Sequence, residues 1–374
     1  MKRLVRGQLT PPEIHTMRMG AAVMSTDQMP KKRVQVAGLR DVAARAGIGM
    51  ATASAVLNGS RSNTRVSQAT RERVIQVAKE LGYHPNALAR GLTGRPTKTI
   101  GVLFGLERVS IAVVNPYAFT VFQGLIAGAA DAGYNVTIFT EPWHGAERSA
   151  GILRDGSTDG VILIAVTTDS DVISSLVETG LPSIVVSSGS DHEIASVDVD
   201  NAAGARLATE HLISLGHLRI AHIPGDSNLT SATERQDAFM ETMVQAGLPV
   251  PAAYLPSGSF ESASGYERAR QLLKLPSPPT AIFAANDSLA LAVVSAARDC
   301  GVDVPGQLSV IGFDDIPMLS LDGLWLTTIR QPLIEIGRSG SLMLIELIET
   351  GQVETNRKQF VPELIVRNST APPP

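Results

Sequence analysis

Residues 281–315 read AIFAANDSLALAVVSAARDCGVDVPGQLSVIGFDD, and this stretch decides the fold. Ala281 to Ala284 is a short apolar run, Ser288 to Cys300 has helical period, and Ser309 to Gly312 is a second apolar run. Two buried strands joined through one helix are a parallel β-α-β unit. The same alternation extends outward. Strands are expected at 100–104, 136–139, 160–165, 184–187 and 219–223, and helices at 121–133, 201–215, 234–246 and 265–273. About ten strands are too many for one compact sheet, so residues 99–374 are expected to form two α/β lobes of doubly wound parallel sheet with a cleft between them.

The 374 residues are 44% apolar and 18% charged, enough to bury a sizeable core. One cysteine excludes a disulfide framework and a cysteine zinc site, and fits a reducing cytoplasm. No apolar run reaches the length of a membrane span, and no apolar core follows the basic start Met1-Lys2-Arg3 as a secretory signal needs. The net charge of −4 hides an asymmetry. Residues 30–98 carry 13 Lys/Arg against 3 Asp/Glu, whereas residues 99–374 carry 15 against 31. A compact basic head on an acidic body is the footprint of a polyanion ligand.

The head has its own pattern. Leu39, Val42, Ala43 and Ala46 share one helical face and Gly47 ends the run. A second helix is expected from Met50 to Leu57. A third, capped by Ser67, carries Val74, Val77, Ala78 and Leu81 on one face and closes at Gly82. Three short helices with a tight glycine turn read as a helix-turn-helix domain, 34–83. Residues 1–33 show no periodic face and read as a disordered extension. Residues 84–98 hold a two-turn helix too short to be stable alone.

Ordered motifs now carry a resemblance. Asp41-Val42-Ala43-Ala44-Arg45-Ala46-Gly47, ATASAVLNG at 51–59, Arg65-Val66-Ser67, TRERV at 70–74, Leu81-Gly82-Tyr83 and PNALAR at 85–90 resemble the lactose/galactose repressor (LacI/GalR) family. The likeness continues through Asn115-Pro116-Tyr117, GARLATEHLISLG at 204–216, Ala285-Asn286-Asp287 and SVIGFDD at 309–315. It implies a DNA-binding head, a hinge helix, and a core resembling periplasmic sugar-binding proteins. Implied lobe boundaries are 99–217 plus 331–358, and 218–330 plus 359–370.

The resemblance also implies site residues. The second helix would lie in the major groove and expose Met50, Ala51, Thr52, Ser54 and Ala55. Thr52, Ser54 and Asn58 match phosphate-contacting positions. Where many relatives carry an arginine able to read guanine, Ala55 offers no hydrogen bond. In the hinge, Arg90 and Leu92 match a motif that enters the minor groove, with Leu92 wedged between base steps. In the cleft, Tyr117, Arg235, Phe260, Asn286 and Asp314 match effector-binding positions. Arg235 suits sugars and acids alike, while Asp314 as a loop cap and Phe260 as core stay open. The implied partners are a pseudo-palindromic duplex operator, a sugar-like effector and a second copy of the chain. The implied place of action is the cytoplasm, on the nucleoid. No cofactor, metal site or catalytic set is read. Cys300 reads as one residue of an apolar helix face, and His211, His217 and His222 as core or surface histidines. The competing reading is a sugar-binding protein of the periplasmic type with a non-functional head.

Overall fold

A computed structural model describes residues 37–58, 66–83, 96–105, 115–189, 193–317, 320–321 and 323–374. The extension 1–33, hinge residues Arg90 and Leu92, and residues 106–114 lie outside them, as does the side chain of Asn58. The chain forms two compact units divided at Pro85.

The head is three helices: α1 (Leu39–Ala46), α2 (Met50–Asn58) and α3 (Gln68–Glu80). Val42, Ala46, Val56, Val74, Val77 and Ala78 form its core. Each end is built locally. Gly47 takes φ +66°, which a side chain would strain, and Ile48 N–H returns to the Ala43 carbonyl at 3.0 Å. Ser67 Oγ caps α3 by accepting from Thr70 N–H at 3.2 Å. Gly38 has no side chain to cap α1, and Asp41 partly compensates by accepting from Gly38 N–H at 2.8 Å.

The core contains two sheets. The strands of lobe one are β1 (Thr99–Phe104), β2 (Asn135–Ile138), β3 (Gly160–Ile164), β4 (Ser183–Val186), β5 (Ala195–Val199) and β12 (Arg357–Phe360). They pair in the order β12-β5-β4-β3-β1-β2, all parallel. Lobe two holds β6 (Ile220–Ile223), β7 (Ala281–Ala284), β8 (Ser309–Asp314), β11 (Thr327–Arg330) and β13 (Glu363–Ile365) in the order β13-β11-β8-β7-β6, with β13 antiparallel. A two-strand ribbon, β9 (Ser320–Leu321) with β10 (Leu324–Trp325), stands apart. Strands β3, β4, β5, β7 and β8 are buried along their whole length, as parallel strands covered on both faces must be.

The helices of the core are α4 (Pro116–Asp131), α5 (Ala146–Leu153), α6 (Val172–Thr179), α7 (Asn201–Ser214), α8 (Thr230–Gln245), α9 (Ser262–Leu273), α10 (Asp287–Asp299) and α11 (Leu333–Thr350). Two expected lobe crossings move. Helix α7 packs on α8, β8, β11 and β13, so the chain enters lobe two at about Asp200, not near 217. The last crossing falls between Phe360 and Glu363 rather than near 358, because Arg357–Phe360 still pairs with β5. The reason is general: a crossover helix belongs with the sheet its apolar face covers. Gly204 of α7 lies against the Phe313 ring, where a Cβ would approach to 2.6 Å. Cys300 is also corrected. It follows the last turn of α10 and is exposed, not part of an apolar face.

Candidate functional site

The C-terminal ends of the parallel strands meet at the cleft, where open α/β sheets hold ligands. On lobe two, Arg235 of α8 is 4% exposed. Its Nε donates to Asn201 Oδ1 at 3.0 Å and its Nη1 to the Ala285 carbonyl at 2.6 Å. The guanidinium lies over the Phe313 ring, 3.7 Å from its centroid. Asp314 ends β8 with its carboxylate 3.9 Å from Arg235 Nη1, and accepts from Gln331 Nε2 at 2.7 Å. Asp314 and Asp315 have φ of +124° and +59°, backbone that L-residues adopt only when neighbours enforce it. The enforcers are visible: Arg367 Nη2 and Arg330 Nε donate to Asp315 at 2.6 and 2.7 Å. Asn201 Nδ2 completes the network by donating to Glu234 Oε2 at 2.9 Å.

Lobe one supplies the opposing wall. Asn115 caps α4 by accepting from Tyr117 N–H at 3.0 Å, which fixes Tyr117 in the first turn. Its hydroxyl lies beside Ser187 and within electrostatic reach of Asp198, Asp314 and Arg235. Asp198 of β5 is buried and accepts from the Gly189 and Val199 N–H groups, both at 2.7 Å. The two lobes also touch at the cleft mouth, where Thr168 N–H donates to the Asn228 carbonyl at 2.8 Å.

Burial sets the electrostatics. It pushes Asp314 up to about 7, against the pull of Arg235 and Gln331. It pushes Asp198 up to about 6, against its two backbone donors. Burial likewise raises the Tyr117 hydroxyl, and the neighbouring carboxyls add to it. Folded carboxyls therefore keep protons that the unfolded chain has released above about pH 4. Unfolding releases protons from these two carboxyls, so the stability they contribute falls as pH rises from about 4 through their folded values of about 6 and 7. Buried His222, held down to about 3, acts with the opposite sign, because the unfolded chain protonates it below about pH 6.5. The carboxyl contribution is therefore read as a difference: between about pH 5 and 7.5, Asp314→Asn should lose the part of the decline that Asp314 supplies, on the order of 1–3 kcal/mol in urea titrations. Parent and variant profiles of the same shape over that range would contradict the assignment.

Tyr117, Arg235 and Asp314 are thus brought together. Asn286 sits at the same strand ends, but its Oδ1 is used to cap α10, accepting from Leu289 N–H at 2.8 Å. Phe260 is half-buried; its ring covers Gly225, and its N–H donates to Asp226 at 2.9 Å. Ser187, Asp198, Asn201, Glu234 and Gln331 were not anticipated. A charged residue inside the apolar strand ASVDV is the one signal that marks Asp198 beforehand. His222 is core, stacked on Phe239, tilted against Phe283, and pushed down to about 3 by burial. His217 is buried in bonds to Thr280, Ser309 and Ala371.

In the head, Met50 is 55% exposed, Ala51 is exposed, and Thr52 and Ser54 are half-buried. Ala55 overturns its expectation, being only 8% exposed. Helix α2 packs against both α1 and α3, so both flanks are covered. The helix carries no charged side chain. Arg40, Arg71 and Arg73 lie exposed on α1 and α3.

Residues 38–86 match the family model described as bacterial regulatory proteins, lacI family, and residues 209–370 match a periplasmic binding protein-like domain. The chain is 31% identical over 338 residues to the HTH-type transcriptional repressor PurR of Photobacterium profundum, covering 89% of this chain and 98% of that one. It is 32% identical over 344 residues to the HTH-type transcriptional repressor CytR of Escherichia coli K12, covering 91% and 98%. Among solved structures, a lac repressor dimer bound to operator and the anti-inducer ONPF aligns with TM-score 0.76 at 27% identity, covering 90% and 99%. A complex of the transcriptional regulator CelR with cellobiose aligns with TM-score 0.69 at 31% identity, covering 89% and 99%.

Proposed function

The chain belongs to the LacI family of bacterial regulatory proteins, and from that premise we propose that it is a sequence-specific DNA-binding repressor whose operator affinity is set by a sugar-like effector held between its lobes. One observation carries this reading. Arg235 and Asp314 of one lobe face Tyr117 and Asp198 of the other in a single buried polar cluster. A ligand bonded to both walls binds one arrangement of the lobes better than another, which is what couples a ligand to a distant site. The cellobiose carried by a relative of similar fold supports a sugar-like class.

The proposed readers of DNA are Met50, Ala51, Thr52 and Ser54, with Asn58, Arg90 and Leu92 retained from the motif match. Because α2 is uncharged, affinity rests on phosphate contacts from hydroxyls and from the arginines of α1 and α3. Two copies would read a pseudo-palindromic site. Lobe one offers a face for pairing: Phe119 and Ile126 of α4 and Ile334 and Leu342 of α11 are each more than two-fifths exposed. Among the described residues no helix is long and apolar enough to cross a membrane, and action on the nucleoid in the cytoplasm is part of the proposal.

The test is selection of short duplexes by the purified chain, with and without a sugar panel. A two-fold-symmetric site should be enriched, bound by two chains, and vacated or occupied in response to one sugar. Affinity for it should fall about a thousandfold between 50 and 200 mM salt if six or more phosphates are contacted. Flat affinity over that range would sink the DNA reading. No enriched site, with a sugar still tightly bound, would favour a sugar-binding protein with a non-functional head.

A further inference from the structure

The chain enters lobe one through a joint tied more closely than a strand entry requires. Asp159, the residue before β3, accepts from Thr97 N–H at 2.6 Å, from Thr97 Oγ1 at 2.9 Å and from Lys98 N–H at 2.7 Å. Donors on an ionised carboxylate make charge-assisted bonds, the stronger kind. Lys98 has φ +56°, backbone that a side-chain-bearing residue adopts only when its neighbours enforce it. Its ammonium donates to Glu349 Oε1 at 2.7 Å and stands 4.3 Å from the centre of the Tyr134 ring, whose hydroxyl also donates to Glu349 Oε1 at 3.3 Å. Its carbonyl accepts from Asn135 N–H at 2.8 Å. Tyr134 follows α4, and Glu349 lies in the last turn of α11. Two consecutive residues are thus pinned at once to the start of β3 and to the ends of two helices.

Stability alone does not account for this joint. The Lys98 and Glu349 side chains are 45% and 51% exposed, and exposed ion pairs add little, whereas the left-handed backbone is costly. What the arrangement fixes is a position and a direction. Residues 84–95 run from the head to this joint. The joint in turn is tied to α4 and α11, the helices whose exposed Phe119, Ile126, Ile334 and Leu342 offer the pairing face. Two chains paired there would hold their two joints at one separation. We propose, resting on the reading of two copies on a two-fold site, that Asp159 and Lys98 are positioning residues that set the half-site spacing the two heads accept. A second head tethered from a fixed point reaches one spacing at high effective concentration and others poorly. From a loose joint it reaches several spacings, none of them as well.

The experiment measures the full chain on three duplexes at low salt: the one enriched by selection, the same with one base pair inserted between its halves, and a single half-site. The insertion moves one half-site by about 3.4 Å and about a tenth of a turn. The parent is expected to lose at least about tenfold in affinity on insertion. Asp159→Ala and Lys98→Gly should each bind the selected duplex about three- to tenfold more weakly, lose no more than about threefold on insertion, and bind the half-site like the parent. Glycine adopts φ +56° without strain, so Lys98→Gly carries the test where the aspartate variant fails to fold. A merely structural role would weaken binding to all three duplexes alike and leave the insertion penalty in place. That result, or a parent indifferent to the insertion, overturns the proposal. If no two-fold site is enriched, the DNA reading itself fails and this inference falls with it.

Discussion

Arg235→Met is expected to lower stability by about 2–4 kcal/mol and to abolish any response of DNA binding to sugar. Methionine replaces most of the stem and can keep contact with the Phe313 ring. It cannot donate. The Asn201 Oδ1 and Ala285 carbonyl then lose buried partners that now bond at 3.0 and 2.6 Å, each worth roughly 1–3 kcal/mol when left unsatisfied. Loss of the cation also leaves three carboxyls facing one another. Asp314 relieves this by holding its proton: it already sits at about 7 with Arg235 pulling it down, so removing Arg235 moves it higher still. The stability held by the Asp314 proton should therefore persist to higher pH in the variant than in the parent, a change that mere loss of packing would not produce. Arg235→Lys keeps the charge without the planar fork. It should recover part of the stability and none of the sugar response. Urea melts at several pH values and operator titrations with the active sugar check all three statements. A methionine variant as stable as the parent and still released by sugar would remove Arg235 from the mechanism.

The strands and helices that could be placed from the chain alone are those whose period is undisturbed. Ile100 to Phe104 and Ala281 to Ala284 are buried along their length and read plainly as strands. Helix α4 is legible only from Val121, because it starts five residues earlier, at Pro116 behind the Asn115 cap, where proline obscures the pattern. Helix α11 and strands β5, β11, β12 and β13 carry β-branched, small and charged residues in mixtures that local period does not separate; they form because a sheet edge or a neighbouring helix is there to receive them. The cleft divides the same way. Arg235 and Asp314 lie in recognisable motifs, whereas Ser187, Gln331 and Asn201 acquire a role only when two crossings bring separate chain segments together. Ala55 shows the converse: a residue can match a surface position in sequence and still be covered by packing on two flanks.

The closest helix pairing in the core yields the other large effect, a loss of at least about 3 kcal/mol for Gly124→Val. Helices α4 and α11 cross through glycine. A Cβ on Gly124 would stand 1.9 Å from the Ile334 carbonyl oxygen, and one on Gly337 would stand 1.9 Å from the Val121 carbonyl oxygen. These obstacles are backbone atoms, which cannot rotate away, so the helices themselves must separate. Separation breaks the Ser341 Oγ bond to the Leu125 carbonyl, now 2.6 Å, and opens contacts lined by Val121, Leu125, Ile336 and Leu344, all buried. The damage should reach the cleft, because Tyr117 stands in the first turn of α4 beside Ser187 and Asp198. Gly337→Ala is expected to act in the same direction through the other helix. Gly151 provides the contrast: it lies in helix α5 with nothing within 4 Å of where its Cβ would stand, so Gly151→Ala should raise stability by about 0.5–1 kcal/mol. Urea melts of the three variants, with sugar affinity measured on those that fold, decide the matter. A Gly124→Val chain that keeps the parent's stability would mean that the two helices do not cross as closely as 1.9 Å implies.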